Sequence, residues 1–214
     1  GASVTTSYVG TATAKGVVSV DGSGTTDVAT VSAAGVTTLA TAASNQIETL
    51  NLSGNGSAVT FEIAGAATTY NLLGDFDITL SGGEASFDGK TVADTSEGVS
   101  TVEITTLDDA DLSKVVVDNI VVSDDVASKT LTLADDATVT LATDVDTAFA
   151  VAGKEAGYTV NLVTADDTDA NGTVIDITTA TLTASTNITT LNIDASVGKF
   201  TATTATTAST TTDI

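Results

Sequence analysis

The chain has 214 residues, 42% of them apolar but only 4% aromatic, and a formal charge of −22 from 28 acidic residues against six lysines. It contains no Cys, His, Met, Trp, Pro or Arg. Without His and Cys, most nucleophilic, acid–base and soft-metal chemistry near neutral pH is excluded, and no disulfide framework can form. The charge repels nucleic acid and anionic membrane surfaces, so the partners it favours are divalent cations or basic surfaces. No apolar run reaches the length of a membrane helix, so no membrane insertion is expected. Gly1-Ala2-Ser3 reads as a processed or engineered start, with any export signal removed or outside the sequence.

Thr supplies roughly a fifth of the residues, and the apolar content is mostly Val, Ala, Leu and Ile. A core of small aliphatics is thin and repetitive, which favours stacked strands over a packed α/β domain. In chain order, β-type runs occur at Val17–Val20, Val28–Val31, Ile47–Leu52, Val59–Ile63, Tyr70–Leu73 and Ile78–Leu80. They continue at Val99–Ile104, Leu112–Val117, Ile120–Val122, Thr130–Leu133 and Thr138–Leu141, then at Thr159–Val163, Val174–Ile177, Ala180–Leu182 and Ile188–Ile193. Many alternate an aliphatic residue with Thr, as in Thr130-Leu131-Thr132-Leu133, which puts the aliphatics on one face of a half-buried strand. Helical patterning is weak: Ser44–Leu50 and Asp144–Lys154 allow a short turn, and neither carries an apolar stripe over three turns.

One strand unit recurs. Ile47-Glu48-Thr49-Leu50-Asn51-Leu52 matches Ile188-Thr189-Thr190-Leu191-Asn192-Ile193, with further copies at Val99–Ile104 and Ser128–Leu133. Recurrence of a strand and turn every 8–12 residues predicts an all-β, elongated stack of short strands, a parallel β-helix or β-solenoid, with antiparallel β-sandwich domains as the alternative. The expected organisation is a repetitive domain over residues 1–200, with two sub-domains split near 95–100 as an option. Residues 201–214 form a Thr/Ala-rich segment that reads as a linker, a stalk or a last irregular strand.

The best local motif is Asp167-Thr168-Asp169-Ala170-Asn171-Gly172, the D-x-D-x-N-G opening of a calcium loop, in which alternate oxygens converge on one ion. Asp166 adjoins it and Asp176 is the next carboxylate, so the candidate Ca²⁺ ligands are Asp166, Asp167, Asp169, Asn171 and Asp176. Thr178 stands where an EF-hand carries its closing Glu, and an Asn-Gly hairpin turn is the competing reading. Other acidic turns lie at Asp75–Asp77, Asp108–Asp111, Asp124-Asp125, Asp135-Asp136 and Asp144–Asp146; clustered carboxylates invite a hard divalent cation. A carboxylate pair suffices for glycoside hydrolysis. With no Trp, His or Arg to build a sugar cleft, no enzyme is expected.

The Ile-x-Thr-Leu-Asn-Leu unit, the Thr/Ala/Val/Asp-rich composition and the missing Cys resemble Gram-negative bacterial surface-layer proteins and related calcium-dependent, type I-secreted surface proteins and adhesins. The Gly-Gly-x-Gly-x-Asp nonapeptides of that family are absent, and Ser81-Gly82-Gly83-Glu84 is a fragment of one. The resemblance implies an extracellular cell-surface protein that self-assembles into a layer or filament through Ca²⁺ contacts, with cell-surface polysaccharide as a further partner. An adhesin module that recognises a receptor or glycan through its loops is the alternative.

Overall fold

The computed structural model describes residues 3–7, 16–20, 26–41, 47–64, 67–124, 126, 128–142, 149–164, 176–179, 182–184, 187–194, 199–202, 205–206 and 211–213. These contain strands β1 (Ser3–Ser7), β2 (Gly16–Val20), β3 (Val28–Thr41), β4 (Thr49–Ala64), β5 (Thr69–Leu73), β6 (Ile78–Gly83) and β7 (Thr91–Asp94). Then come β8 (Ser100–Thr106), β9 (Ala110–Leu112), β10 (Val115–Val116), β11 (Asn119–Val122), β12 (Thr130–Leu133), β13 (Ala137–Leu141) and β14 (Phe149–Gly153). The last are β15 (Tyr158–Thr164), β16 (Asp176–Thr179), β17 (Leu182–Ala184), β18 (Ile188–Asp194), β19 (Lys199–Ala202), β20 (Ala205–Thr206) and β21 (Thr211–Asp213). Every pairing whose register is resolved is parallel. The fold is a parallel β-solenoid, and the sandwich alternative is set aside because a sandwich needs antiparallel neighbours.

The chain divides into two compact units: residues 1–103 with 115–118, and residues 104–114 with 119–214. In the first, each rung has two sides. One stacks β1, the first half of β3, the first half of β4, β5, β7 and β10; the other stacks β2, the second halves of β3 and β4, β6 and the start of β8. In the second unit, β11-β13-β15-β18-β21 form one side and β9-β12-β14-β17-β20 another, while β16 pairs with β19.

Period-two alternation sends aliphatic columns inward in register. Leu50, Tyr70, Val92 and Val115 stack in the first unit; Ala110, Leu131, Val151 and Ala184 stack in the second. All are buried. Like side chains at strand spacing leave little void, so a narrow aliphatic core suffices. The first unit widens where Phe87, placed by the one-turn 3₁₀ helix Glu84–Ser86, meets Tyr70 with ring centroids 6.2 Å apart. Both rings are fully buried. Burial pushes the Tyr70 hydroxyl above its ordinary pKa; the hydroxyl donates to the Ser86 carbonyl and accepts from the Ala67 N–H.

Two features differ from the expected pattern. Val28–Val31 and Val59–Ile63 are parts of the longer strands β3 and β4, each of which turns a corner where the register shifts, between Ala33 and Gly35 and between Gly54 and Val59. The corner is crowded: a Cβ on Gly98 would lie 2.4 Å from the Phe76 carbonyl carbon, and one on Gly54 2.7 Å from the Phe76 Cβ. Phe149–Gly153, inside the stretch that allowed a helical turn, is strand β14.

Candidate functional site

The most ordered chemistry in the described residues lies at the turns. In a parallel stack each strand N–H finds a carbonyl in the next rung, but the chain leaves the ladder at every corner and its N–H groups need another acceptor. Backbone carbonyls of the neighbouring rung supply it at some, as for the Thr68, Thr95, Ser123 and Ala142 N–H groups, and acidic residues at others. In the first unit the Asp27 N–H donates to Glu48 Oε2 (2.6 Å), the Val99 N–H to Asp77 Oδ1 (2.8 Å) and the Ser100 N–H to Asp118 Oδ2 (2.8 Å). In the second the Leu107 N–H donates to Asp124 Oδ2 (2.7 Å), the Thr130 N–H to Asp109 Oδ1 (2.7 Å) and the Thr159 N–H to Asp135 Oδ1 (2.8 Å). Each bond joins residues 17 to 24 positions apart, which makes each carboxylate a staple between adjacent rungs. Bonds to a charged acceptor are short and stronger than neutral ones.

The Ser100–Asp118 pair makes the most hydrogen bonds of these. Ser100 is fully buried; its hydroxyl donates to Asp118 Oδ2 and accepts from the Asp118 N–H. The remaining carboxylates of Asp108–Asp111 hold lysines. Lys129 Nζ lies 2.8 Å from Asp108 Oδ1, and Lys154 Nζ lies 2.7 Å from Asp111 Oδ2, reaching back 43 positions. The hydrogen bond from Lys154, with those from Ser113, holds the Asp111 carboxyl at about 2. Lys129 lowers the Asp108 pKa, and Asp108 raises that of Lys129.

Asparagines form a second kind of staple. Asn71 Nδ2 donates to Asn51 Oδ1 (2.8 Å) and Asn51 Nδ2 to Thr30 Oγ1 (3.4 Å); in the second unit Asn192 Nδ2 donates to Asn161 Oδ1 (2.8 Å). Beside them run Thr columns in register, Thr49-Thr69-Thr91 and Thr159-Thr190-Thr211. The recurring Thr-Leu-Asn is therefore a rung whose outward Thr and Asn stack on their counterparts.

Of the expected Ca²⁺ ligands, Asp166, Asp167, Asp169 and Asn171 lie outside the described residues, between β15 and β16, and Asp176 is the first residue of β16. They fall within a long rung: Asn161 and Asn192 are 31 positions apart, against 20 for Asn51 and Asn71. Among the described residues no three acidic side chains converge on a common point. Asp108, Asp109 and Asp111, consecutive enough to suggest a shared ion, take three different partners instead. Asp125, Asp144 and Asp146 lie outside the described residues.

The first unit carries a shallow groove at its corner, lined by Gly35, Val36, Ala58, Val59, Thr60, Asp77 and Thr79. Its volume, about 170 Å³, is below the roughly 300 Å³ at which ligand pockets begin. Sequence reasoning did not find the staples, although a signal for them exists. Glu48, Asp77, Asp109 and Asp118 each immediately precede the first residue of a strand. No known family model, curated protein or solved structure matches the chain.

Two outcomes follow. Asp118→Ala leaves the buried Ser100 N–H and hydroxyl without their acceptor and costs about 1–3 kcal/mol in urea unfolding, whereas Asp118→Asn, which keeps an oxygen there, costs less than half as much. For Asp111, the lowered carboxyl pKa means its contribution is fully present above the ordinary value of 3.8 and is lost as pH falls towards 2. Because the Asp111 and Lys154 side chains are 35% and 50% exposed, that contribution is at most about 1 kcal/mol. Comparing wild type with Asp111→Asn by urea unfolding, the wild-type advantage at pH 6 disappears at pH 2.

Proposed function

We propose that the chain is a structural protein of the extracellular surface that self-assembles into a layer or filament, with Ca²⁺ bridging its acidic turns. The observation that carries this reading is that the polar groups of the described rungs are occupied in holding one rung to the next. Turn carboxylates accept backbone N–H groups, lysines pair with carboxylates one and two rungs away, and asparagines pair with asparagines. A molecule that invests its side chains in its own repeat is suited to act as a scaffold. Its resemblance in composition and strand unit to calcium-dependent surface-layer proteins supports the same reading.

The charge supplies the control. At −22, copies repel one another, and within a Debye length of roughly 10 Å that repulsion opposes contact. Divalent cations neutralise carboxylates where copies meet. We assign the cation to Asp166, Asp167, Asp169, Asn171 and Asp176, where the spacing is that of a calcium loop. The alternative, an adhesin module that recognises a receptor or glycan by its loops, would show itself as a monomer that binds a surface.

Negative-stain electron microscopy in millimolar Ca²⁺ and in excess chelator tests the reading. Ordered sheets or filaments in Ca²⁺ that disperse in chelator are expected. Dispersed particles in both conditions would overturn calcium-assisted assembly.

A further inference from the structure

On one side of the first unit no charged side chain sits between the strand ends, as on the β13–β15 side of the second unit. On the strand halves Val28–Ala33 and Thr49–Gly54, and on β5 and β7, the outward positions form a column at the strand starts, Thr49, Thr69 and Thr91, and a column one step further along, Thr30, Asn51 and Asn71. The remaining outward positions between the strand ends are Val, Ser, Leu and Ala. Charged side chains enter only at the rim, where Glu48 is turned to the Asp27 N–H and Asp94 to Ser96. The other side of the same unit carries Glu62 and Glu103 at outward positions.

We infer that this uncharged Thr/Asn side of the first unit is a contact surface for the same side of a second copy. The inference rests on the self-assembly reading above and adds to its Ca²⁺-bridged contact a second one that involves no carboxylate. Three physical points support a second copy as the occupant. First, in a chain of −22 two copies approach with least repulsion where neither presents a carboxylate. Second, hydroxyls and amides each both donate and accept, so such a face is complementary to itself, as a two-fold contact requires. Carboxylates, which only accept, are not. Third, the columns repeat at the strand spacing of about 4.8 Å, so the same face on another copy has the same repeat and meets it without mismatch.

The size of the face sets the strength. Four rungs of five residues span roughly 17 by 19 Å, near 300 Å² per copy, well under the ~800 Å² per partner of a standard stable interface. A single contact of this kind is weak, and it acts through repetition across many copies.

Sedimentation velocity over a concentration series in millimolar Ca²⁺, with circular dichroism as the check on folding, compares wild type, Thr69→Glu and Thr79→Glu. Thr69 is the middle member of the Thr column, at the start of β5; Thr79 is outward on the other side. Thr69→Glu places like charges opposite each other and is expected to weaken association at least about tenfold, with Thr79→Glu close to wild type. Wild-type association that neither variant changes, or that both weaken equally, overturns this face as the contact while leaving self-assembly standing. A wild type that stays monomeric at every concentration overturns both. Unchanged association of Thr69→Glu with lost retardation in a neutral polysaccharide gel would assign the face to sugar and overturn a second copy as its occupant.

Discussion

A parallel ladder solves the hydrogen-bonding problem of its strands and creates one at its corners. Every backbone N–H that leaves the ladder, and is covered by the next rung, must find an acceptor or cost a few kcal/mol. At six such N–H groups here the acceptor is a carboxylate from a neighbouring rung, at Glu48, Asp77, Asp109, Asp118, Asp124 and Asp135, and at others it is a backbone carbonyl. Much else in the molecule follows from that choice. Short aspartates suit the tight corners, and Asp136 itself adopts φ 59°, a left-handed conformation that Asp tolerates better than most residues. Each added rung then brings more negative charge with it.

Acidity in this chain is thus first a structural property. The same carboxylates that raise the net charge to −22 are drawn into short bonds with backbone N–H groups or lysines, which return part of the repulsive energy locally. The aliphatic columns need no large aromatic centre, since each rung repeats its neighbour's packing; Tyr70 and Phe87 enter where the rung widens. The uncharged Thr and Asn columns complete the division of labour: charge at corners, neutral hydrogen-bonding groups on the broad side, aliphatics within.

The strands were largely legible because period-two alternation is a local property. Thr130-Leu131-Thr132-Leu133 is β12 without adjustment, and Tyr70–Leu73 is all but the first residue of β5. β7 was not, since Val92 is its single buried residue and one aliphatic position carries no period. The bent strand β4 is legible as two runs, Ile47–Leu52 and Val59–Ile63, and β3 only in its first half, Val28–Val31, because a corner interrupts the alternation. The internal repeat was visible, but its copies at Ile47–Leu52 and Ser128–Leu133 lie in different units and on differently composed sides, so strand chemistry repeats without marking rung position. The staples were illegible for a simple reason: an aspartate and the N–H it accepts lie about twenty residues apart, and only the register joins them. Asp108–Asp111 therefore reads as one acidic cluster, whereas in the fold its carboxylates take separate partners. Of the proposed calcium ligands, Asp176 alone falls in a described element, at the start of β16.

Amide hydrogen exchange, read residue by residue by NMR, tests the role of the corner carboxylates most directly. The amides of Val99, Ser100, Leu107, Thr130 and Thr159 lie at turns or within the first two residues of a strand, positions that ordinarily exchange fast. The account predicts protection within about tenfold of the strand-centre amides of Leu80 and Leu131, with Ser100 falling to fast exchange in Asp118→Ala. Fast exchange at these five amides in the folded wild-type protein would contradict it.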